Sequence, residues 1–552
     1  MLRFFIHVSL LLLPVLLSAQ GSLLLVGGGR EDKHSWSDQP YGWFVQQADS
    51  GTIVNIDVSP KPSDWYPKYF EWLGADTSSR PLWIPNRASA NDSSTYRILS
   101  EADGIFIEGG DQWRYVETWK RTLVEDAIHA VFQKGGAIGG TSAGLAVLGD
   151  VAFDAKFGTV YPDHAAYDPY HEDIHFEDNF LEILPGVLTD SHFLERGRLG
   201  RLVPMLARRI QDHGETGLLG IGVDGQSAFC IDPQHRGTAY GRAVTILSRS
   251  EESQIACEKD IPVLFTDVQF TQLLEGATYD INSQELVDSG SYMNSVTPSS
   301  WEGAFPDTTI TGDAAETGTL GEIEVGRIYT ETDAWRSGRL TLVDGLGRVP
   351  GTVIMPHLWQ LDPDQGDDYF PNRLTGPMYA MAANPGLTAL YLDSASSIEI
   401  QGNGILETEG VGYILETESV THTGLNSGNI PGLVHARLHF LREGIRYNFR
   451  EHRIVRVEEG ENHLPGEIRL GQNYPNPFND STRIRFFLPR TGPMILSVFD
   501  LKGRWVELLL KGVLASGWHS VAWEAGDLAS GLYVMQLRTQ ESSLVSKAML
   551  IR

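Results

Sequence analysis

Gly140-Thr141-Ser142-Ala143-Gly144 sets a serine between glycines directly after the apolar run GAIGG. Glycines on both sides allow the sharp strand-to-helix turn that lifts a hydroxyl above a sheet edge. A free serine is a weak nucleophile and needs a base within hydrogen-bond reach. His192, in TDSHFLERGRLGRL, can supply one. The imidazole then needs a carboxylate to hold its tautomer and stabilise its imidazolium, an effect worth up to about 10⁴ in rate. Two acids are candidates: Asp224, which ends the run GLLGIGVD and is preferred, and Asp190, two residues before His192. Serine, histidine and carboxylate together would do acyl transfer. His129, His213 and His235 read as surface or core-capping imidazoles.

A second histidine group lies in YPDHAAYDPYHEDIHFEDNF, where His164, His171 and His175 stand among acids. Neither HExxH nor another ligand spacing is present, so no metal and no cofactor are expected. The segment reads as an acidic, aromatic loop over the mouth of the cleft, which favours cationic substrates such as Arg-bearing peptides.

The elements that must position these groups alternate strand and helix from Ser22 onward. SLLLVGGG, TIVNIDVS, GIFIEGG and GAIGG are apolar strands ending in glycine or a turn. Between the last two, QWRYVETWKRTLVEDAIHAVFQKG has Trp119, Leu123, Ala127 and Val131 at helical spacing. This pattern predicts a doubly wound parallel α/β sheet with its ligands at the carboxyl ends of the strands.

The chain is 552 residues long, enough for three or four domains of roughly 150 residues each. Its 71 acidic against 43 basic residues leave a net charge of −28, which makes nucleic acid a poor partner. The start, MLRFFIHVSLLLLPVLLSAQ, has a basic Arg3, a short apolar stretch broken by Pro14 and small residues at Ser18 and Ala19. It reads as a signal peptide over residues 1–20, and no later run is long and apolar enough to span a bilayer as a helix. Only Cys230 and Cys257 are present, so no cysteine-stapled scaffold exists. In an oxidising compartment they stand equally as one disulfide or as two buried thiols.

Residues 282–345 are rich in Ser, Thr, Gly and acids and read as a linker without calcium-loop spacing. Beyond it, GLTALYLDSASSIEI at Gly386 resembles GLLGIGVDGQSAFCI at Gly217. The same offset pairs Asp224 with Asp393, Gly241 with Gly410 and Ile261-Pro262 with Ile430-Pro431, and one residue less pairs Tyr279 with Tyr447. Residues 346–455 therefore read as a partial degenerate repeat of the first domain's second half, silent because it has no GGTSAG. From residue 464 to 552, RIRFFL, ILSVFDL, HSVAWEA and GLYVMQLR alternate with turns and predict a β-sandwich.

FIEGGDQWRYV, GGAIGGTSAG and DSHFLERGRLGRL, in this order after an initial GGG strand end, resemble the cyanophycinase and dipeptidase E family of serine peptidases. The resemblance covers residues 21–281 and implies a class I glutamine amidotransferase-like fold. It implies Ser142 as nucleophile, His192 as base and Gln112 as a substrate contact. Arg196, Arg198 and Arg201 would hold substrate carboxylates, beside Asp190, and the backbone N–H groups of Ala143 and Gly110 would hold the oxyanion. The family carries an Asp-Glu pair in its strand-end motif, the Glu orienting the histidine, where this chain has Asp224 followed by Gly225. Asp224 is expected to take that task, and a glutamate restored at 225 is expected to raise turnover. Ser191, where cyanophycinases often have Gln, weakens the likeness to enzymes acting on cyanophycin itself.

LGQNYPNPFN, VFDLKGRWV and ASGLYVMQL resemble the carboxy-terminal sorting domain of type IX secretion substrates, which implies the secretion machinery as a partner and a secreted or surface location. The whole reads as a secreted serine peptidase for Asp-containing or β-Asp-Arg peptides, acting through an acyl-enzyme. A second reading, motivated by Gly225 and the silent repeat, is a catalytically impaired surface protein that binds peptides. A homodimer is compatible with both.

Overall fold

The computed structural model describes residues 20–59, 63–297, 310–313, 320–325, 342–356, 358, 374–393, 396–428, 430–455 and most of 468–551. The expected signal peptide lies outside the described residues.

The chain enters with β1 (Ser22–Val26), α1 (Asp38–Gln47), β2 (Ile53–Asp57), α2 (Trp65–Trp72), β3 (Arg80–Trp83), α3 (Arg87–Ala90), α4 (Ser93–Ser100) and β4 (Gly104–Ile107). It continues through α5 (Gln112–Trp119), α6 (Leu123–Gln133), β5 (Ala137–Thr141) and α7 (Ala143–Ala146). Strands β3-β2-β4-β5-β1 lie parallel in that order, so the expected α/β class holds. β1, β2, β4 and β5 are all buried along their length, as strands covered on both faces must be, and read in sequence as continuous apolar runs. β3 is largely uncovered at the sheet edge and carried no such signal. The single helix expected over QWRYVETWKRTLVEDAIHAVFQKG is two helices, because Lys120 is extended (ψ 130°) and Arg121 turns left-handed (φ 55°). Arg87 caps the first of them by donating to the carbonyls of Glu117 and Lys120.

A second sheet then begins. It takes β6 (Gly149–Phe153), α8 (Pro162–Tyr167), β7 (Phe176–Glu177), β8 (Leu184–Asp190), α9 (Leu199–His213) and β9 (Leu219–Val223). β10 (Ser227–Ile231) and β11 (Arg236–Gly241) return to the first sheet, where β10 runs antiparallel to β1. β12 (Ala243–Arg249), β13 (Ile255–Glu258) and the long β14 (Ile261–Leu274) extend the second. The site residues are thus divided between two sheets, where the sequence reading had one.

β15 (Thr278–Asp280) joins the first sheet, and part of the stretch read as a linker is strand as well: β16 (Glu285–Asp288), β17 (Met293–Ser295), β19 (Gly321–Val325) and β20 (Leu342–Asp344) belong to these two sheets and β18 (Ile310–Asp313) to a third. β16 and β20 are half-buried or exposed edge strands whose polar side chains face water, which hid their pairing from hydrophobic periodicity. The chain continues with β21 (Val349–Met355), α10 (Thr375–Ala383), β22 (Thr388–Leu392), β23 (Ser397–Ile400), β24 (Ile405–Glu409) and β25 (Val411–Glu416). It then runs through β26 (His422–Leu425), β27 (Pro431–Arg442), β28 (Arg446–Asn448) and β29 (Arg453–Val455). β27 pairs with β14, so β21, β22, β25 and β26 prolong the second sheet, while β18, β23, β24, β28 and β29 form a separate five-stranded sheet.

The last seven strands form a three-stranded and a four-stranded antiparallel sheet around a core that includes Phe486, Met494, Trp523, Met535 and Leu550, the sandwich that the tail's alternation predicts. Tyr474, Pro475, Asn476 and Pro477 of the NYPNPFN segment lie outside the described residues. Cys230, on β10, and Cys257, on β13, are free, buried thiols in different cores, which removes the disulfide alternative. Among the described residues no helix is long and apolar enough to cross a membrane.

Candidate active site

Ser142 caps the short helix α7 with φ 53° and ψ −113°, a left-handed backbone that a non-glycine residue holds only when its surroundings impose it. The two glycines of the motif impose it by close approach: a β-carbon on Gly140 would strike the Gly144 carbonyl, and one on Gly144 would strike the Ile107 carbonyl. The turn therefore closes only with glycine at both places. Ser142 Oγ lies 3.0 Å from His192 Nε2. His192 comes from the second sheet, just after β8, and its N–H donates to the Gly27 carbonyl at 2.8 Å, so the pair spans the junction of the two sheets.

The acid that reaches the imidazole is Glu195. Its Oε1 bonds His192 Nδ1 from a single 3₁₀ turn, Leu194–Arg196, three residues on. The expectations for Asp224 and Asp190 are corrected on this point. Asp224 is fully buried at the end of β9, and its Oδ1 accepts the Leu194 N–H at 3.0 Å. It holds the turn that carries Glu195 and does not touch His192. Burial pushes the Asp224 carboxyl up to about 8, so it is protonated at neutral pH. Asp190 is spent on arginine: Arg201 grips it with two bonds, Nε to Oδ2 at 2.7 Å and Nη2 to Oδ1 at 2.5 Å, and Arg198 adds a third at 3.3 Å.

Gly225 explains the displacement of the acid. A β-carbon there would collide with the Glu195 carboxyl group, so Glu195 occupies the space that a side chain at 225 would fill. A carboxylate thus stands at the imidazole although Asp224 is followed by glycine in the strand-end motif. The spacing His192-x-x-Glu195 was visible in the sequence, but it signals a contact only when the residues between form a helical turn.

Of the expected carboxylate-binding arginines, Arg201 is 2% exposed and fully engaged, with further bonds to Thr159 and Val160. Arg198 is bound to Ser191 as well as Asp190, and burial lowers its guanidinium to about 9. These two build the site's floor, which corrects their assignment to substrate. Arg196 is half-buried, close enough to His192 to lower its pKa, and carries no ion pair among the described residues. Gln112 donates to the Phe153 carbonyl at 3.3 Å and ties α5 to β6 at the cleft rim. Ala143 opens α7, and Gly110 lies in the turn after β4, whose Gly109 packs against Ser142.

Three acids missed by sequence reasoning gather at the carboxyl ends of β1, β2 and β4. Glu108 accepts from the Asn55 amide and from Ser63 N–H, and Asp57 Oδ1 accepts from the Tyr115 hydroxyl at 3.2 Å. Glu31 accepts from Tyr41 at 2.9 Å and is also bonded by Thr141, the residue before the nucleophile. Burial raises Glu31 and pushes Glu108 up to about 7. Burial and mutual repulsion favour the protonated acids, and a cation bound beside them would favour the ionised ones. His164 and His171 stack at 5.0 Å and His175 bonds Asp154 at 2.8 Å, contacts internal to the insert.

Residues 80–229 match the family model described as peptidase family S51, and residues 472–552 match that of the secretion system C-terminal sorting domain. Over those residues the first domain is similar to peptidase family S51. Its relatives include the cyanophycinase of Synechococcus elongatus, 28% identical over 280 residues, covering 49% of this chain and 82% of that protein. The cyanophycinase of Trichormus variabilis is 29% identical over 240 residues, covering 42% of this chain and 76% of that one. A crystal structure of a peptidase from an acI-B1 Actinobacterium covers 48% of this chain and 98% of its own at 17% identity, with a TM-score of 0.30. A peptidase E protein from Listeria monocytogenes EGD-e gives 40%, 99%, 16% and 0.28. The sorting domain supports secretion and a cell-surface location.

In this S51-like domain, burial lowers the His192 pKa below its ordinary 6.5, outweighing the Glu195 contact that raises it. A general base works in its neutral form, so a lowered pKa extends activity toward acid. The acid limb of kcat/KM is expected at a midpoint below 6.5. A pH–rate profile from about pH 4.5 to about pH 9 checks this, and a midpoint above 6.5 contradicts it.

Proposed function

We propose that the protein is a secreted serine peptidase that cleaves Asp-containing peptides, β-Asp-Arg among them, through an acyl-enzyme. The Ser142–His192–Glu195 chain of hydrogen bonds carries this reading. Ser142 Oγ attacks the scissile carbonyl carbon while His192 Nε2 takes its proton, and Glu195 stabilises the imidazolium through Nδ1. The N–H groups of Ala143 and Gly110 hold the oxyanion. Collapse breaks the C–N bond, and the departing amine takes the proton from His192. Water, deprotonated by the same imidazole, then releases the acid and restores Ser142.

Substrate charge follows from what is left unpaired. Arg196 suits the aspartyl carboxylate, and the Glu31, Asp57 and Glu108 group suits a guanidinium or amine. The reading as a noncatalytic binder was motivated by Gly225 and the silent repeat; the Glu195 carboxyl group at His192 Nδ1 supports the catalytic one.

A serine-directed covalent probe tests the nucleophile: it is expected to label the full chain and to fail on Ser142→Ala. Labelling that survives the substitution, or a wild type that neither labels nor hydrolyses any Asp-X or β-Asp-Arg peptide, overturns the reading. Arg196→Ala is expected to lower kcat/KM about 10- to 100-fold on Asp-X peptides, the worth of one charge-assisted contact, and to change Asn-X turnover little. Equal losses on both substrates would remove Arg196 from carboxylate recognition.

A further inference from the structure

Any antiparallel ladder is two-fold about its centre, but in the pairing of β14 with β27 the irregularities at the two ends are placed by the same two-fold. Gln269 faces Arg437, Val268 faces Leu438 and Phe270 faces Ala436. If Gln269 is matched to Arg437 as its counterpart, the pair Val268–Leu438 becomes Ala436–Phe270, the next pair itself. The irregularities obey the same rule, since Phe265–Phe440 becomes Leu433–Gln272, also a pair. Irregularities placed in this way, together with the order of the flanking strands, match the isologous contact of a two-fold dimer, in which residue i meets j and the counterpart of j meets the counterpart of i.

The strands on either side continue this symmetry. Outward from β14 run β12, β9, β8, β6 and β7, and outward from β27 run β25, β22, β21, β19 and β20. On both sides the pairings are antiparallel, antiparallel, parallel, parallel and antiparallel. A second series corresponds too: β1-β10-β11-β15-β16 and β18-β23-β24-β28-β29 are both antiparallel throughout. Among the described residues, the half that begins at Ile310 has no counterpart of Ser142.

The Tyr167 hydroxyl links this half to the cleft, meeting Ser396 as well as Asp393. Tyr167, at the end of α8 in the insert, donates its hydroxyl to Asp393 Oδ2 at 2.7 Å across the boundary. Asp393 follows β22 as Asp224 follows β9, so it occupies the corresponding strand end. The insert borders the site, since Thr159 bonds Arg201 and Phe153, the last residue of β6 before it, bonds Gln112.

We propose that residues 310–455 are a built-in partner subunit: an inert copy that covers the β14 edge by the pairing a homodimer would use, and anchors the cleft-wall insert through Asp393. The chain then acts alone, with no second copy on that edge. Only the effect on catalysis rests on the peptidase reading.

Three measurements on the full chain test the proposal. Sedimentation velocity is expected to give the mass of one chain; a dimer would overturn the claim that the edge is already filled. In the double variant Gln269→Cys/Arg437→Cys, a short bifunctional maleimide should bridge the two thiols within one chain, with wild type as control. Bridged dimers would mean that the second half docks on another molecule, and absence of any bridge would mean that the ladder is not formed; either overturns the proposal. Tyr167→Phe should speed hydrogen exchange at least fivefold across 154–178 while leaving the β14–β27 ladder protected. It should raise KM for a β-Asp-Arg dipeptide about fivefold with kcat within twofold. Unchanged exchange in the insert would overturn the anchoring role. A chain that hydrolyses nothing would defeat the peptidase reading while the mass, the bridge and the exchange still decide this one.

Discussion

Glu195→Gln is expected to lower kcat/KM on a β-Asp-Arg peptide by about 10³- to 10⁴-fold, the loss seen when the acid of a serine–histidine–acid set becomes an amide. Glu195 bonds His192 Nδ1 directly, so an amide there can present N–H to the imidazole and reverse its tautomer, leaving Nε2 unable to take the serine proton. Asp224→Asn, by contrast, should stay within about tenfold of wild type, because Oδ1 can still accept the Leu194 N–H. Its effect should appear in stability. With its folded pKa raised to about 8 from 3.8, Asp224 keeps its proton in the folded chain longer than in the unfolded one. Wild-type stability therefore falls as pH rises between those values, while asparagine has no proton to lose. The melting temperature of Asp224→Asn relative to wild type should climb over that window. Loss of activity in Asp224→Asn with full activity in Glu195→Gln would reverse the assignment.

Gly225→Glu alone should cut activity by about 10²-fold or more, contrary to the gain expected when position 225 is read as simply vacant. The Glu195 carboxyl group already stands where the new side chain begins, and two carboxylates in one buried space raise each other's pKa and push one aside. The backbone at 225 is outside the left-handed region, so the penalty lies in space and charge. Combining Gly225→Glu with Glu195→Ala removes the conflict and should restore activity to within about tenfold of wild type, since the acid then approaches the same imidazole from the strand end. If the double variant is no better than Glu195→Ala, the two positions do not share one space. Kinetics on the four chains of this cycle decide it.

Much of the fold was legible in the residues because its signals are local. β1, β2, β4 and β5 are buried on both faces, so each appears as an unbroken apolar run, and the GTSAG elbow needs glycines that only close backbone approach explains. Ser142 and His192 were identifiable for the same reason: each sits in a short motif whose chemistry depends on its immediate neighbours. The alternating strands of the tail likewise announced a sandwich.

The choice of acid was decided in three dimensions. Asp224, Asp190 and Glu195 are all carboxylates near His192 in sequence or motif, and nothing local ranks them. Arg201 and Arg198 converge on Asp190 and consume it, burial keeps Asp224 protonated and bonded to a backbone N–H, and the absent side chain at Gly225 opens the space that Glu195 enters. Arg201 carried the same ambiguity, since a guanidinium that grips a substrate carboxylate and one that grips Asp190 look identical in sequence. The acid group of Glu31, Asp57 and Glu108 follows or ends three separate strands and exists only once β1, β2 and β4 are assembled in one sheet with β5 between β1 and β4. Local sequence determined which groups could react; long-range packing decided which of them are free to do so.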